Sequence, residues 1–84
     1  MNFVFSAQAW DDYQFWQEQD KKIVKRINDL LKDIARNGNE GIGKPEALRG
    51  NLQGWTSRRI TAEHRVVYRI AGKDIQIAQL RFHY

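Results

Sequence analysis

WTSRRITAEHRVVYRIAGKDIQIAQLRF, residues 55–82, decides the fold because it follows the two-residue period of β-strands in three consecutive runs. The runs cover residues 55–61, 65–71 and 74–82, and turns of two or three residues separate them. Connections this short join antiparallel neighbours, so the three strands are predicted to form a meander.

The middle run separates apolar from charged side chains. Every second residue from Val66 to Ile70 is large and apolar, whereas Arg65 and Arg69 fall on the opposite face of the predicted strand. We therefore expect one face of the sheet to pack on a core and the other face to be cationic.

Upstream of these strands the hydrophobic period changes to that of helices. Asn2–Phe5 is a short strand-forming run, and Ser6 follows it where a helix N-cap would stand. Large apolar residues recur every three positions within residues 7–19, which indicates an amphipathic helix. Asp20 is placed to cap a second helix at residues 21–36, where apolar residues form a continuous stripe.

The segment between the second helix and the meander, residues 37–54, contains five of the six Gly and the only Pro. It is predicted to be a loop with little structure of its own. Loops longer than about 12–15 residues are usually functional or disordered. This one holds the isolated acid Glu46 between Lys44 and Arg49, so a functional loop is the preferred interpretation.

Together these elements predict an α+β fold of order β-α-α-β-β-β in a single domain, residues 1–84. The two helices should cover one face of a small, largely antiparallel, twisted sheet and leave the other face open. A chain of 84 residues leaves no room for a second core.

Charge is distributed unevenly along the chain. Residues 1–43 carry six Lys and Arg against seven Asp and Glu, a net charge of −1, whereas residues 44–84 carry eight against three, a net charge of +5. Six of those eight cations are Arg, whose planar guanidinium suits bidentate contact with phosphate. This pattern indicates a polyanionic partner, nucleic acid first, and composition leaves a merely solvated charged surface open as the alternative.

Several kinds of chemistry and location are disfavoured by the composition. The chain has no Cys, which removes disulfides, thiolate chemistry and Cys-based zinc sites. Its two His and Glu46 show no metal-ligand spacing, so neither a metal nor another cofactor is expected. No apolar run approaches the roughly 18 residues needed to span a bilayer. A cytoplasmic protein without membrane contact is therefore expected.

A metal-free site that cleaves RNA needs a base for the 2′-hydroxyl, cations for the phosphorane and an acid for the 5′-oxygen leaving group. The chain offers a sufficient set: Glu46, Arg59 or Arg65, and His83. In the C-terminal run RFHY the strand period places Arg81 and His83 on one face, and the two aromatic residues argue for a docked end. Each arginine alone is more simply a surface or salt-bridged side chain, and only the combination supports catalysis.

The chain also carries an ordered set of short motifs. They are Trp10-Asp11-Asp12-Tyr13, the helical segment 21–30, Gly43-Lys44-Pro45-Glu46, Leu48, Asn51-Leu52, Gly54, Ser57-Arg58-Arg59-Ile60-Thr61, Glu63-His64-Arg65, Val67-Tyr68 and Arg81-Phe82-His83-Tyr84. Over essentially the whole chain, this set closely resembles the YoeB toxins of the RelE-like superfamily. The departures are Arg49 where the family commonly has Lys, Phe82 for a frequent Tyr, and Trp55-Thr56 for a more aromatic pair.

The resemblance implies the microbial-RNase-like fold of that superfamily and the activity of a ribosome-dependent mRNA interferase, a toxin that cuts the codon in the ribosomal A site. It implies Glu46 as the general base and His83 as the general acid. Arg65 would stabilise the transition state, Arg59 would be a second phosphate-contacting arginine, and Tyr84 would help to position the substrate. Cleavage would pass through a 2′,3′-cyclic phosphate to a 3′-phosphate without a metal.

The expected partners follow from the same resemblance. They are mRNA on the 70S ribosome with contacts to 16S and 23S ribosomal RNA, a YefM-type antitoxin that folds over the toxin, and operator DNA only through the antitoxin complex. Further RNA or phosphate contacts are expected at Lys44, Arg49, Arg58 and Arg81. The choice between monomer and homodimer stays open. Two alternative functions also stay open: a non-catalytic RNA- or ribosome-binding domain that uses the same cationic face, and a repressor component that acts through its antitoxin.

Overall fold

The chain forms two helices and five strands over residues 1–83, which are the residues that the computed structural model describes. In chain order the elements are β1 (Asn2–Phe5), α1 (Ala7–Gln19), α2 (Lys21–Asn37), β2 (Glu46–Ala47), β3 (Thr56–Arg59), β4 (Arg65–Ala71) and β5 (Asp74–Gln79), with a turn of 3-10 helix at Gly50–Leu52. The predicted first strand, both helices and the middle strand of the meander are confirmed to within one residue. The other two predicted strands are shorter than expected, and β2 lies in the segment that was expected to hold little structure.

The five strands form one sheet in the order β1-β5-β4-β3-β2. The predicted meander is confirmed, because β3, β4 and β5 pair antiparallel in sequence order. The short β2 adds to β3 antiparallel, and β1 runs parallel to β5 at the opposite edge. The fold is therefore α+β with a largely antiparallel sheet, as predicted.

Side chains cap the helices where the sequence predicted. The Ser6 hydroxyl accepts a hydrogen bond from the Ala9 amide at 3.0 Å, and the Asp20 carboxylate accepts one from the Lys22 amide at 3.0 Å. Both acceptors satisfy amides that the first turn of a helix leaves without a partner. Neither helix within residues 1–83 is long and apolar enough to cross a membrane.

The core lies between the helices and one face of the sheet. Ile27, Leu30 and Ile34 of α2 are at most 1% exposed and belong to one apolar cluster with Val66 and Tyr68 of β4. These are the positions that the helical stripe and the strand alternation predicted. The predicted division of β4 into a core face and a second face is confirmed.

The second face of the sheet is the arginine face, which we define by the side chains that alternate with the core positions. They are Glu46 of β2, Ser57 and Arg59 of β3, and Arg65, Val67 and Arg69 of β4. Arg69 is exposed, and its guanidinium lies 4.6 Å from the centroid of the Trp55 ring. Ser57, Arg65 and Val67 of this face are buried, whereas Glu46, Arg59 and Arg69 are exposed. The prediction that the whole second face stays open is therefore met only in part.

A β-bulge changes the facing of the end of β5. Val67 lies opposite Gln79, whereas the next residue of β4, Tyr68, lies opposite Ile77, so Ala78 is an extra residue without a partner. An extra residue reverses the alternation beyond it. Gln79 consequently shares the arginine face with Val67, although strict alternation from Ile77 would have placed it on the core side.

Candidate active site

Three of the predicted catalytic residues share the arginine face because of the strand register. Glu46 lies opposite Ser57, and Arg59 lies opposite Arg65. Residues that oppose each other in an antiparallel pair point to the same side of the sheet. Glu46 and Arg65 are thus two strands apart, about 10 Å along the hydrogen-bonding direction. Their long side chains can approach one phosphodiester from two sides.

The Glu46 carboxylate is exposed and pairs with no Lys or Arg of residues 1–83. Glu46 is exposed, and its side chain makes no hydrogen bond or ion pair within residues 1–83. Pairing of β2 with β3 fixes its backbone while leaving the carboxylate to solvent. A carboxylate in this state can accept a proton from a ligand hydroxyl that comes within hydrogen-bond distance.

Arg65 is only 8% exposed, and backbone carbonyls anchor its guanidinium. Its Nη1 donates to the carbonyl oxygens of Thr61 at 2.9 Å, Ala62 at 2.9 Å and His64 at 3.3 Å. Within residues 1–83, its Nε and Nη2 make no hydrogen bond. Two free donors on a fixed guanidinium suit bidentate binding of a phosphate oxyanion.

Arg59 supplies a second cation beside Arg65. Its amide donates to the Gly43 carbonyl at 2.7 Å, and its carbonyl accepts from Arg26 Nη2 at 3.2 Å, so its backbone is held on both sides. The side chain is exposed and forms no ion pair with the part of the chain that the structure describes. Two cations placed side by side without a carboxylate partner favour binding of an anion between them.

The C-terminal segment is docked, and it brings His83 to the edge of this cluster. The Leu80 amide donates to Asp12 Oδ2 at 2.9 Å, and the Leu80 carbonyl accepts from Trp16 Nε1 at 2.9 Å. Further along, the Arg65 amide donates to the Phe82 carbonyl at 3.1 Å. The backbone of the residue before His83 is therefore bonded directly to the strand that carries Arg65. Tyr84, expected to position the substrate, lies outside the described residues.

Two of the expected RNA contacts lie exposed in the segment around Glu46. Arg49 is exposed immediately before the 3-10 turn. Lys44 is exposed and adopts a left-handed conformation, with φ of +53°. Such a backbone costs a non-glycine residue about 1–3 kcal/mol and persists where the surroundings enforce it. Pro45 and β2 follow directly, so this turn sets the entry of Glu46 into the sheet.

Arg58 requires a correction, because it faces the core and not the arginine face. It is fully buried, and its guanidinium donates to the Asp33 carboxylate and to the carbonyl oxygens of Gly38, Glu40 and Ile42. The hydrogen bond from Arg58 lowers the pKa of the Asp33 carboxyl. Donors committed in this way leave none for RNA phosphate, so Arg58 instead holds the start of the loop that precedes β2.

Arg81 also lies elsewhere than the strand period predicted. The period placed Arg81 and His83 on one face, but β5 ends at Gln79, and Phe82 adopts a left-handed backbone with φ of +65°. The Arg81 guanidinium instead lies 3.6 Å from the centroid of the Phe15 ring on α1 and 4.4 Å from that of Phe82. Its Nε is buried without a hydrogen-bond partner among residues 1–83.

Sequence reasoning missed the side chains that hold the C-terminal segment. Asp12 is only 3% exposed, although it lies in a polar stretch of α1. The indole N–H of Trp16 donates to the Leu80 carbonyl of the segment. His64 accepts a hydrogen bond from the Phe82 amide, and Gln79 donates to carbonyls beyond it. The only sequence signal was the Asp12 position among the large aromatics of that helix. The others depend on the bulge and on the course of the chain after β5.

No metal-binding constellation stands among the described residues. Within residues 1–83, no three His, Asp or Glu side chains converge as ligands would. The candidate site is instead one accessible carboxylate, two guanidinium groups and a docked segment that carries an imidazole. Those groups can accept a proton, bind an oxyanion and donate a proton.

Comparison with known proteins identifies the family. Residues 5–84 match the YoeB-like toxins of bacterial type II toxin–antitoxin systems. The chain is 54% identical to "Toxin YoeB" of Escherichia coli strain K12 over 84 residues, which is the whole of both chains. It is also 54% identical to "Toxin YoeB" of Synechocystis, covering all of this chain and 98% of that protein.

Solved structures agree in sequence and in fold. A YoeB/ParE toxin from Agrobacterium tumefaciens superposes with a TM-score of 0.97 at 49% identity and covers the whole of both chains. The toxin in a YoeB–YefM complex from Staphylococcus aureus gives a TM-score of 0.93 at 54% identity, over 100% of this chain and 98% of that one. The chain therefore belongs to the YoeB-like toxins of bacterial type II toxin–antitoxin systems.

Proposed function

We propose that this toxin is a ribosome-dependent mRNA interferase, an endoribonuclease that cleaves mRNA in the ribosomal A site and thereby stops translation. The observation that carries the proposal is the shared face of Glu46, Arg59 and Arg65, with a free carboxylate and two guanidinium groups that pair with no acid in residues 1–83. An unpaired carboxylate beside two such cations suits a ligand with two features: an anionic group for the cations to bind and a hydroxyl group whose proton the carboxylate can accept. RNA has both in its phosphodiester and its 2′-hydroxyl.

In the proposed reaction Glu46 removes the proton of the 2′-hydroxyl, and the resulting oxygen attacks the adjacent phosphorus. Arg65, through Nε and Nη2, and Arg59 stabilise the charge that develops on the phosphorane oxygens. His83 gives a proton to the departing 5′-oxygen, and the bond between phosphorus and that oxygen breaks. The products are a 2′,3′-cyclic phosphate and a free 5′-hydroxyl, and water then opens the ring to a 3′-phosphate. Tyr84 would help to position the substrate.

These groups account for a substantial rate enhancement. A general base and a general acid each contribute about 10²- to 10⁴-fold. A preorganised donor on the charged oxygens contributes about 10²- to 10³-fold. Lys44 and Arg49 supply further phosphate contacts in this proposal, since both are exposed near Glu46. Arg58 is not included, because its guanidinium donates to carbonyl oxygens inside the protein. Arg81 is half-buried and stacks on Phe15 and Phe82, so it stays a peripheral RNA contact in this proposal.

The proposed partners follow from the target and from the relatives. The ribosome, with its 16S and 23S ribosomal RNA, presents the A-site codon, and the toxin would act in the cytoplasm, where translation takes place. Toxins 54–55% identical to this chain have been solved as a YoeB–YefM complex and as a YoeB dimer. We propose a YefM-type antitoxin for this chain, operator binding only through that complex, and a dimer as an accessible state.

A non-catalytic domain that binds RNA or the ribosome is the second candidate function. The exposed cations of the arginine face would serve it equally well. It has no use, however, for a free carboxylate beside two guanidinium groups, because that carboxylate repels the backbone of RNA. The two candidates therefore differ in what happens when Glu46 loses its charge.

Primer extension on mRNA from a translating extract tests the proposal, with purified wild type, Glu46→Ala and His83→Gln in parallel. The matched control is Glu40→Ala, which removes another exposed carboxylate of the same loop. We expect cuts at fixed in-frame positions with wild type and Glu40→Ala and none with the two site variants. Arrest of translation without any cut in wild type would overturn the interferase proposal and leave the binding domain.

A further inference from the structure

The last described residues of the chain are held by a side chain that lies outside the proposed acid–base set. Gln79 Nε2 donates to the Arg81 carbonyl at 3.0 Å and to the His83 carbonyl at 3.0 Å, with a longer contact of 3.4 Å to the Phe82 carbonyl. An amide nitrogen has two hydrogens, so the two shorter bonds use its full donor capacity. One side chain thus bridges both sides of the turn that leads to His83.

The bulge in β5 is what makes this bridge possible. Because Ala78 is an extra residue, Gln79 lies opposite Val67 on the arginine face, and the chain then turns back over it. Bulges beside functional sites commonly serve to re-aim one side chain in this way. Without the extra residue the Gln79 amide would face the core.

His64 holds the same segment from the other side. Its Nδ1 accepts a hydrogen bond from the Phe82 amide at 2.8 Å, and its ring packs edge-on against Trp16 with 4.8 Å between centroids. The side chain is 13% exposed, so the ring is largely enclosed. Phe82 has the left-handed backbone noted above, which an L side chain rarely adopts unless contacts enforce it. The bonds to His64 and Gln79 are contacts of that kind.

We propose that Gln79 and His64 are positioning residues that set the place of the His83 imidazole in the active site. With the His83 carbonyl bound to Gln79 and the Phe82 amide bound to His64, the backbone that carries the imidazole is held on both sides. A general acid must come within hydrogen-bond distance of the leaving oxygen, which requires a fixed backbone at His83. This inference rests on the proposed role of His83 in RNA cleavage.

The main test replaces Gln79 with Met, which keeps the length of the side chain and removes both donors. Single-turnover cleavage on programmed ribosomes is expected to slow about 10- to 100-fold, since small misplacements of a reacting group have effects of that size. The toxin concentration for half-maximal rate should stay within about twofold, because RNA binding is not altered. Gln76→Met is the matched control: Gln76 is a glutamine of the same strand, and it bonds Arg69 instead of the C-terminal segment. It should cut at the wild-type rate.

A pair of His64 variants gives a rescue test. His64→Leu removes the acceptor and should slow cleavage as Gln79→Met does. His64→Asn places an oxygen acceptor close to the position of Nδ1 and should recover a substantial part of the lost rate. Equal loss of rate in the two variants, or equal loss in Gln76→Met and Gln79→Met, would show a general effect on stability and overturn the positioning role.

Amide hydrogen exchange of Phe82 separates this inference from the proposed function. Its amide should be protected in wild type and Gln76→Met and exchange at least tenfold faster in Gln79→Met and His64→Leu. If wild type cuts no RNA while Phe82 shows this pattern, the proposed function fails and the docking of the segment stands. If wild type cuts and Gln79→Met cuts equally fast, the positioning role fails and the interferase stands.

Discussion

At the residue scale, two neighbouring arginines show that moving one residue along a strand changes a side chain from buried to exposed. Arg58 and Arg59 have the same chemistry, but alternate facing buries the first against Asp33 and exposes the second on the arginine face. The strand alternation of residues 55–61 contained this distinction, yet both arginines were expected to contact RNA. A buried arginine needs many acceptors, and those acceptors are loop carbonyls that no sequence pattern marks.

The two arginines should therefore respond oppositely to mutation. Arg58→Met is expected to lower the free energy of unfolding by about 3 kcal/mol, because it removes the hydrogen bonds of a buried guanidinium to three loop carbonyls, each worth about 1 kcal/mol. Arg59→Gln should leave stability nearly unchanged and lower the slope of log binding constant against log salt by about 0.7, the value for one phosphate contact on single-stranded RNA. Urea unfolding and salt titration with a 2′-deoxy-substituted oligonucleotide measure the two effects. A reduced salt slope in folded Arg58→Met would return that residue to the RNA contacts.

Asp33 should make stability depend on acid pH. Its pKa is lowered in the folded protein, chiefly by the hydrogen bond from Arg58, whereas in the unfolded chain it returns to about the ordinary 3.8. The pair therefore stabilises the fold fully above that ordinary value, and the contribution is lost as pH falls from it through the lower folded pKa. Urea midpoints can be measured between about pH 5 and about pH 2.5, a range that spans the ordinary carboxyl pKa. They should fall less steeply with falling pH for Asp33→Asn than for wild type. The control Asp29→Asn, which removes an acid paired with Lys25 on the surface, should keep the wild-type slope.

At the scale of elements, the loop before β2 requires glycine at position 43 because of its backbone conformation and its close neighbours. Gly43 has φ of +83°, and a Cβ there would lie 2.8 Å from Leu30 Cδ2 and 3.3 Å from the Arg59 carbonyl oxygen. Gly72 also has a left-handed backbone, with φ of +61°, but a Cβ there would meet nothing within 4 Å. An L residue would be strained by the backbone at either position, but its Cβ would overlap neighbouring atoms only at Gly43.

Alanine at these glycines should separate strain from overlap. Gly72→Ala is expected to cost about 1 kcal/mol of unfolding free energy through its backbone alone. Gly43→Ala should cost more, and it should also slow cleavage, because the overlap displaces the segment that leads to Glu46. Urea unfolding and single-turnover cleavage check the pair. Equal costs at the two positions, with equal cleavage rates, would contradict this view of the loop.

The elements that could be predicted from sequence are those with local causes. Ser6 and Asp20 bond to amides two or three residues away, so the helix starts were readable from their neighbours. β2 was not predictable, since two residues contain no period and depend on pairing with β3. The end of β5 and its bulge at Ala78 depend likewise on contacts with β4 and α1, which are distant in sequence.

At the scale of the whole molecule, the candidate site exists only through the sheet. Glu46, Arg59, Arg65 and His83 belong to four separate segments, and the register of β2, β3 and β4 together with the docked C-terminus gathers them. The residue types and their order, through the resemblance to the family, predicted which groups would form the site. Their mutual placement, and the removal of Arg58 from the predicted RNA contacts, required the fold.

The exposure of Glu46 and Arg59 leads to a prediction about the ribosome. Glu46 and Arg59 are exposed side chains on a sheet face that no helix of residues 1–83 encloses, so the protein alone does little to hold RNA in line for attack. Orientation of reacting groups can supply about 7–11 kcal/mol of barrier reduction, roughly 10⁵- to 10⁸-fold in rate. If the ribosome provides that orientation, the same mRNA segment should be cut at least 10⁵-fold more slowly when free than when placed in the A site of a programmed ribosome. Single-turnover rates on both forms measure the ratio, and a 2′-deoxy nucleotide at the cut site should abolish cleavage in each. Comparable rates on the two substrates would mean that the toxin itself aligns the RNA, and that the arginine face closes over its substrate without help.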